Sequence, residues 1–159
     1  MLFMTRKSKL LLLFILVIAF AVNSCKKDEQ SSLKNFLTER PWKFALLQRF
    51  AYFKNVLITT DTLQGNCSLN QKLTFKTDNT YTYENYVCKP GTINKQWSFT
   101  PDRLYLNLNS DITLNSKGGQ SAARIITLGQ YSLVFDAGDI NTPYTATDSV
   151  IIFRYGFIH

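Results

Sequence analysis

What most constrains this chain is a period of two that recurs from Trp42 to its end, broken by residues that turn a backbone on itself. Alternation at that spacing puts every second side chain on one face, which is strand behaviour. Trp42, Phe44 and Leu46 alternate with Lys43 and Ala45. In K-L-T-F-K-T-D-N-T-Y-T-Y-E, Leu73 and Phe75 share a face with Tyr81 and Tyr83 only if the T-D-N-T turn has an odd loop of three or five residues. W-S-F-T-P-D-R-L-Y-L reads as a second hairpin, Trp97 opposite Leu106 and Phe99 opposite Leu104, with a type I turn begun by Pro101. A third, A-R-I-I-T-L-G-Q-Y-S-L-V-F, is predicted to turn at Gly129-Gln130 in type II′ form, with Leu128 opposite Tyr131 and Ile126 opposite Leu133.

Between the last two hairpins, D-I-T-L-N-S-K-G-G-Q offers another strand and a glycine turn, and S-V-I-I-F-R-Y-G-F-I a closing one after the loop D-A-G-D-I-N-T-P-Y. The only helical pattern is short: Ser32 can cap it, Leu33, Phe36 and Leu37 share a face, and Pro41 ends it. Eight or nine strands joined by short turns form an antiparallel meander. The expected fold is all-β, an up-and-down barrel of about eight strands with a short N-terminal helix, because closure removes exposed edges.

The first 30 residues have a different character. Arg6, Lys7 and Lys9 precede an apolar run from Leu10 to Val22, and no acid appears before Asp28. At about thirteen residues that run is shorter than the roughly 17 to 25 of a spanning helix, so a cleaved targeting signal over residues 1–24 is expected. V-N-S-C ends in a cysteine preceded by a small residue. It resembles the lipobox of bacterial lipoproteins, which implies acylation (palmitate among the chains) at Cys25 and membrane attachment through several acyl chains. Residues 25–32, with K-K-D-E after the cysteine, are then a polar tether. That run also resembles short export signals of surface lipoproteins in some Gram-negative bacteria. The domain proper is 33–159, on an outer-membrane lipoprotein at the periplasmic face or cell surface.

Removing residues 1–24 takes three of the 18 basic residues and none of the 11 acidic ones, leaving +4. No Lys/Arg run follows the signal, so nucleic acid is not an expected partner. Aromatic residues at 14% exclude disorder as the main content. About 135 residues make one domain, expected to be a monomer. Export brings Cys67 and Cys88 into an oxidising compartment, where a disulfide closing a loop of about twenty residues would stabilise by roughly 3 kcal/mol.

Catalysis finds little to use. The sole histidine is His159, so neither a triad nor a zinc hydrolase site can be assembled from internal residues. Glu84 and Asp102 are possible glycosidase carboxylates, read more simply as solvent-facing or turn residues, and D-A-G-D at 136–139 lacks EF-hand spacing. No enzyme activity, metal or cofactor is expected. D-T-L at Asp61–Leu63 and D-S-V at Asp148–Val150 resemble an O-glycosylation pattern of Gram-negative surface proteins, with Thr62 and Ser149 as acceptors.

Taken in order, the lipobox, short helix, W-K-F strand, C…L-T-F-K-T-D-N-T-Y…C hairpin, W-S-F-T-P-D-R-L-Y-L and I-I-T-L-G-Q-Y-S-L-V-F resemble the lipocalin-like lipoproteins of Gram-negative bacteria. R-P-W stands where lipocalins carry Gly-x-Trp, so Trp42 is the residue that carries over. The resemblance, over roughly 33–158, implies an eight-stranded barrel with an apolar interior and a possible small-molecule site. The aromatic set Trp42, Phe44, Phe75, Tyr81, Tyr83, Trp97 and Phe99 is read first as core, tilting toward a filled interior. Within it, Trp42, Phe75, Tyr81, Tyr83 and Trp97 are the candidate ligand-binding residues. The expected function is binding a small hydrophobic or amphipathic molecule. The alternative is a filled barrel that meets an envelope protein through the loops at 61–71 and 136–147.

Overall fold

The computed structural model describes residues 32–63, 69–108, 122–141 and 149–159. The expected signal, Cys25, Cys67, Asp148 and the strand and turn expected over 111–120 lie outside them. Two compact units are distinguished, Met1–Asn35 and Phe36–His159, and all the strands belong to the second. A short helix covers 32–38. Among the described residues nine strands follow: β1 Trp42–Phe53, β2 Val56–Thr62, β3 Lys72–Phe75, β4 Thr80–Glu84, β5 Thr92–Phe99, β6 Tyr105–Leu108, β7 Ala122–Leu128, β8 Ser132–Gly138 and β9 Val150–Ile158. Each pairs antiparallel with its neighbours in the order β2-β1-β3-β4-β5-β6-β7-β8-β9, and β1 also pairs with β9. Eight strands therefore close into a barrel, and β2 is an extra strand outside the ring.

The apolar alternation fills the interior. Leu73, Phe75, Tyr81, Tyr83, Leu106, Leu133, Phe135, Tyr155 and Phe157 are all buried. Their rings interlock: Trp97 meets Phe75 and Phe99 edge-on at 5.5 Å, and Phe135 stacks on Tyr155 at 5.2 Å and Phe157 at 5.6 Å. An eight-stranded barrel is just wide enough to be filled by side chains, and nine aromatics, Trp42, Phe75, Tyr81, Tyr83, Trp97, Phe135, Phe153, Tyr155 and Phe157, belong to the buried cluster here. The polar tips find partners in the wall. Trp97 Nε1 donates to the carbonyls of Lys76 and Thr80 at 3.2 and 3.0 Å, and Trp42 Nε1 donates to that of Leu37 at 2.9 Å. Leu37, fully buried, ties the end of the short helix to the start of β1.

The first hairpin has the expected parity. Leu73 faces Tyr83 and Phe75 faces Tyr81, and Lys76 N–H donates to the Thr80 carbonyl across a three-residue loop whose last residue, Asn79, is left-handed at φ 65°. The second keeps its turn and loses its register. Arg103 N–H closes the type I turn on the Thr100 carbonyl, but Arg103 then adopts φ 60°, so Trp97 faces Leu108 and Phe99 faces Leu106. Asp102 and the Thr100 hydroxyl hold that longer turn, accepting from Leu104 N–H and Tyr105 N–H at 3.1 Å each. Leu104 is left in solvent.

The third hairpin turns one residue later than expected. Leu128 faces Leu133, Gly129 N–H donates to the Ser132 carbonyl, and Gln130-Tyr131 form the tip. A bulge between Ile125 and Thr127 turns Ile126 outward while Ile125 stays opposite Phe135, and Tyr131 remains in water. A similar irregularity between Phe44 and Leu46 interrupts the expected alternation in β1, burying Leu47 instead of Leu46. Leu46 lies over Gly156, where an added Cβ would come within 3.2 Å of its own.

D-A-G-D is not a loop: β8 runs on through Gly138. Asp136, 1% exposed, accepts from Arg154 Nε at 2.8 Å and from the Arg154 and Arg124 terminal nitrogens at 3.0 and 3.1 Å. Asp136 faces Arg124 across β7 and Arg154 across β9, so one carboxylate pins three strands in register. Its bond raises the Arg154 pKa above the ordinary arginine value.

Candidate functional site

The barrel is closed unevenly. β1 and β9 pair over nine positions from Lys43 to Tyr52, whereas β1 and β3 pair only at Trp42 with Leu73 and Lys43 with Lys72. Beyond Lys43 the same side of β1 turns to β2, from Gln48 opposite Thr62 to Phe53 opposite Val56. Between the two partners β1 has no full ladder on that side, and the wall opens into a cleft of about 510 Å³. Such a volume lies in the range of small-molecule sites, about 300–1,000 Å³.

Each element contributes to its lining. From β1 come Lys43, Phe44, Ala45 and Leu47; Leu63 continues β2, and Leu69, Asn70 and Gln71 lead into β3. Tyr83 and Tyr155 rise from the barrel floor, and the 3-10 turn Tyr86–Cys88 forms the far rim. The floor is aromatic and aliphatic. Polar groups line it as well: the Tyr83 hydroxyl donates to Gln71 Oε1 at 3.3 Å, Gln71 Nε2 lies 3.9 Å from Cys88 Sγ, and Lys43 and Asn70 are also in the lining. Burial drives the Tyr83 hydroxyl pKa well above the usual tyrosine value, with Tyr86 as a lesser cause, so this group stays a neutral donor.

The rim is strained. Asn85, Val87 and Cys88 have φ of 57°, 48° and 61°, and for a β-branched valine that region is a clear outlier. Strain of this kind costs on the order of 1–3 kcal/mol per residue and needs external support. Asn85 provides it, taking the Gly91 carbonyl through its N–H at 2.8 Å and the Asn70 carbonyl through Nδ2 at 2.9 Å.

Of the five residues expected to meet a ligand, Tyr83 alone lines the cleft. Trp42, Phe75, Tyr81 and Trp97 are buried in the packed interior, and Trp42 is covered by the His159 ring at 3.8 Å. Cys88 sits on the rim. Sequence reasoning did not single out Lys43, Gln71, Tyr86 or Tyr155. A signal for Leu63 and Leu69 existed, since they bracket the loop expected over 61–71. The two candidate carboxylates are at opposite ends of β5: Glu84 flanks Thr92 and is paired to Lys72 at 2.9 Å, while Asp102 follows Phe99. Eight strand residues separate them by about 23 Å. Asp102 is held below its ordinary pKa by the Thr100 hydroxyl and the Leu104 N–H, as a turn residue would be. Asp139 accepts from Ile151 N–H at 3.0 Å, so both acids of D-A-G-D are engaged within the sheet. Thr62 and Ser149 are both exposed. Comparison of the chain with protein-family models, with curated proteins and with solved structures finds no match in any of the three.

Proposed function

We propose that this protein is a lipid-anchored, non-enzymatic binding module of the lipocalin-like type, held at the outer membrane through Cys25, and that the cleft beside β1 takes a small amphipathic molecule. The observation that carries the reading is the cleft itself: Phe44, Leu47, Leu63, Leu69 and Tyr155 line about 510 Å³ together with Lys43 and the hydrogen-bonded pair Gln71 and Tyr83. An apolar tail and a polar head are the two things such a lining sorts. The filled interior leaves the binding volume in the wall. A Cys67–Cys88 disulfide belongs to the same proposal. Leu69 and Cys88 line one cleft, Asn70 is bonded to Asn85, and Cys67 is two residues from Leu69 in sequence, so a bridge would brace the strained rim.

Native mass spectrometry of the exported protein, alone and with a panel of fatty acids and lysophospholipids, tests this. A stoichiometric adduct that Leu63→Trp abolishes, on a protein two mass units below its reduced form, is the expected result. A protein with no adduct across the panel, or adducts indifferent to Leu63→Trp, would turn the reading to the filled barrel that meets other proteins.

A further inference from the structure

Alternation along β1 gives the cleft a charged outside and an apolar inside. Trp42 is buried and Phe44 packs on the core, meeting the Phe157 ring at 5.8 Å, so Lys43 between them points out of the barrel and is exposed. Further in, Leu47 lies opposite Tyr155 on the inward face, and the Tyr83 hydroxyl and Gln71 satisfy each other at 3.3 Å. Among the described lining residues none is acidic, and Lys43 is the one that carries a charge.

The sheet around Lys43 leaves that charge uncompensated. Lys43 faces Lys72 on β3 and Ile158 on β9, a like charge on one side and an aliphatic chain on the other. Like charges directly opposite each other destabilise a sheet. Glu84, the acid in that row, lies opposite Lys72 and is paired to it at 2.9 Å. Among the described residues no ion pair holds Lys43.

We propose that the amphiphile taken by the cleft bears an anionic head, a carboxylate or a phosphate, and lies with that head at Lys43 on the outer face and its chain inward past Phe44 toward Leu47 and Tyr155. The inference rests on the cleft reading above and adds to it the sign of the head and the direction of the chain. A lone exposed lysine holds a free anion only weakly. The apolar lining therefore supplies the attraction, and Lys43 selects between heads. A cationic head would meet Lys43 and Lys72 together, and a neutral one would leave their repulsion unrelieved.

Isothermal titration of the exported protein with amphiphiles of one chain length reads the sign: laurate, dodecyl phosphate, 1-dodecanol and dodecyltrimethylammonium, each below its micelle concentration at about pH 8, where carboxylate and phosphate are ionised. Both anions should bind at least about fivefold tighter than the alcohol, the upper end for one exposed ion pair, and the ammonium should bind weakest. That gap should narrow as salt rises from about 0.01 to 1 M. It should close in Lys43→Gln and persist in Lys43→Arg, which separates the charge from a folding defect. Equal binding of the anions and the alcohol, or a gap that survives Lys43→Gln, overturns this inference and leaves the cleft reading standing. No binding by any of the series, or binding indifferent to Leu63→Trp, overturns the cleft reading and this inference with it.

Discussion

Replacing Asp136 with alanine should be among the most damaging single changes on the outside of this barrel. The carboxylate is 1% exposed and accepts three charge-assisted bonds at 2.8–3.1 Å. Losing it leaves two guanidiniums on adjacent sides of β8, but each is about one-third exposed, 34% and 32%, and can recover water. The cost therefore falls between the 0–1 kcal/mol of a surface pair and the 3–5 kcal/mol of a broken buried one, at about 2–3 kcal/mol. With an m-value of about 1.5 kcal/mol/M, the urea midpoint should fall by roughly 1.3–2 M. Arg154→Met, which removes two of the three bonds, should cost more than Arg124→Met, which removes one. Replacing all three at once, by Arg124→Met, Asp136→Leu and Arg154→Met, should return stability close to that of the original, because no charge is then stranded and the desolvation of Asp136 is avoided. A loss below 1 kcal/mol for Asp136→Ala, or a triple variant as unstable as the single one, would refute this account of the cluster.

Gly138 has φ +94°, and an added Cβ would come within 2.6 Å of the Ile151 carbonyl, which accepts the Asp139 N–H. Gly138→Ala should cost at least about 2 kcal/mol in urea unfolding, against almost nothing for Gly129→Ala, whose Cβ would meet open space. The folded state holds the Tyr83 proton more tightly than the unfolded chain does. Its contribution to stability is therefore complete below pH 10.0, the ordinary tyrosine value, and is lost as pH rises above it. Tyr83→Phe should flatten the fall of the urea midpoint between about pH 9.5 and 11; an unchanged slope would remove Tyr83 as its cause.

What the sequence makes legible here is parity, not offset. Alternation tells which face Phe75, Tyr81, Trp97, Phe99 and Phe135 take, because a one-residue slip would expose all of them. It is indifferent to a two-residue slip, which is why Trp97 faces Leu108 rather than Leu106 without any change of face. That offset is decided by Arg103 at φ 60° and the bonds of Thr100 and Asp102 around it. Bulges at Ala45 and Ile126 are equally silent, since each depends on a neighbouring strand: Gly156 under Leu46, and Phe135 opposite Ile125. The ligand-facing set was sought among the largest aromatics. Those are the residues a narrow barrel needs to fill its own centre, so abundance pointed to the core, and only Tyr83 belongs to both places.

The cleft and the open edge of β2 have a common origin in the length of β1. A twelve-residue strand is longer than its partner β3, which has four. Its first two residues satisfy β3, its last six satisfy β2, and the stretch from Phe44 to Leu47 between them is bridged by single bonds, Phe44 N–H to Gln71 and Leu63 N–H to Leu47. That stretch is the cleft wall. Had β2 continued the ring in place of β3, the seam would be sealed and β2 would have two neighbours; had β1 ended at Leu47, neither feature would exist. Leu63→Trp should fill the cleft without lowering the urea midpoint, because Leu63 lines it just beyond Thr62, the last residue of β2 paired with β1. A loss of more than about 1 kcal/mol would show that Leu63 packs the barrel wall and does not line an open cleft.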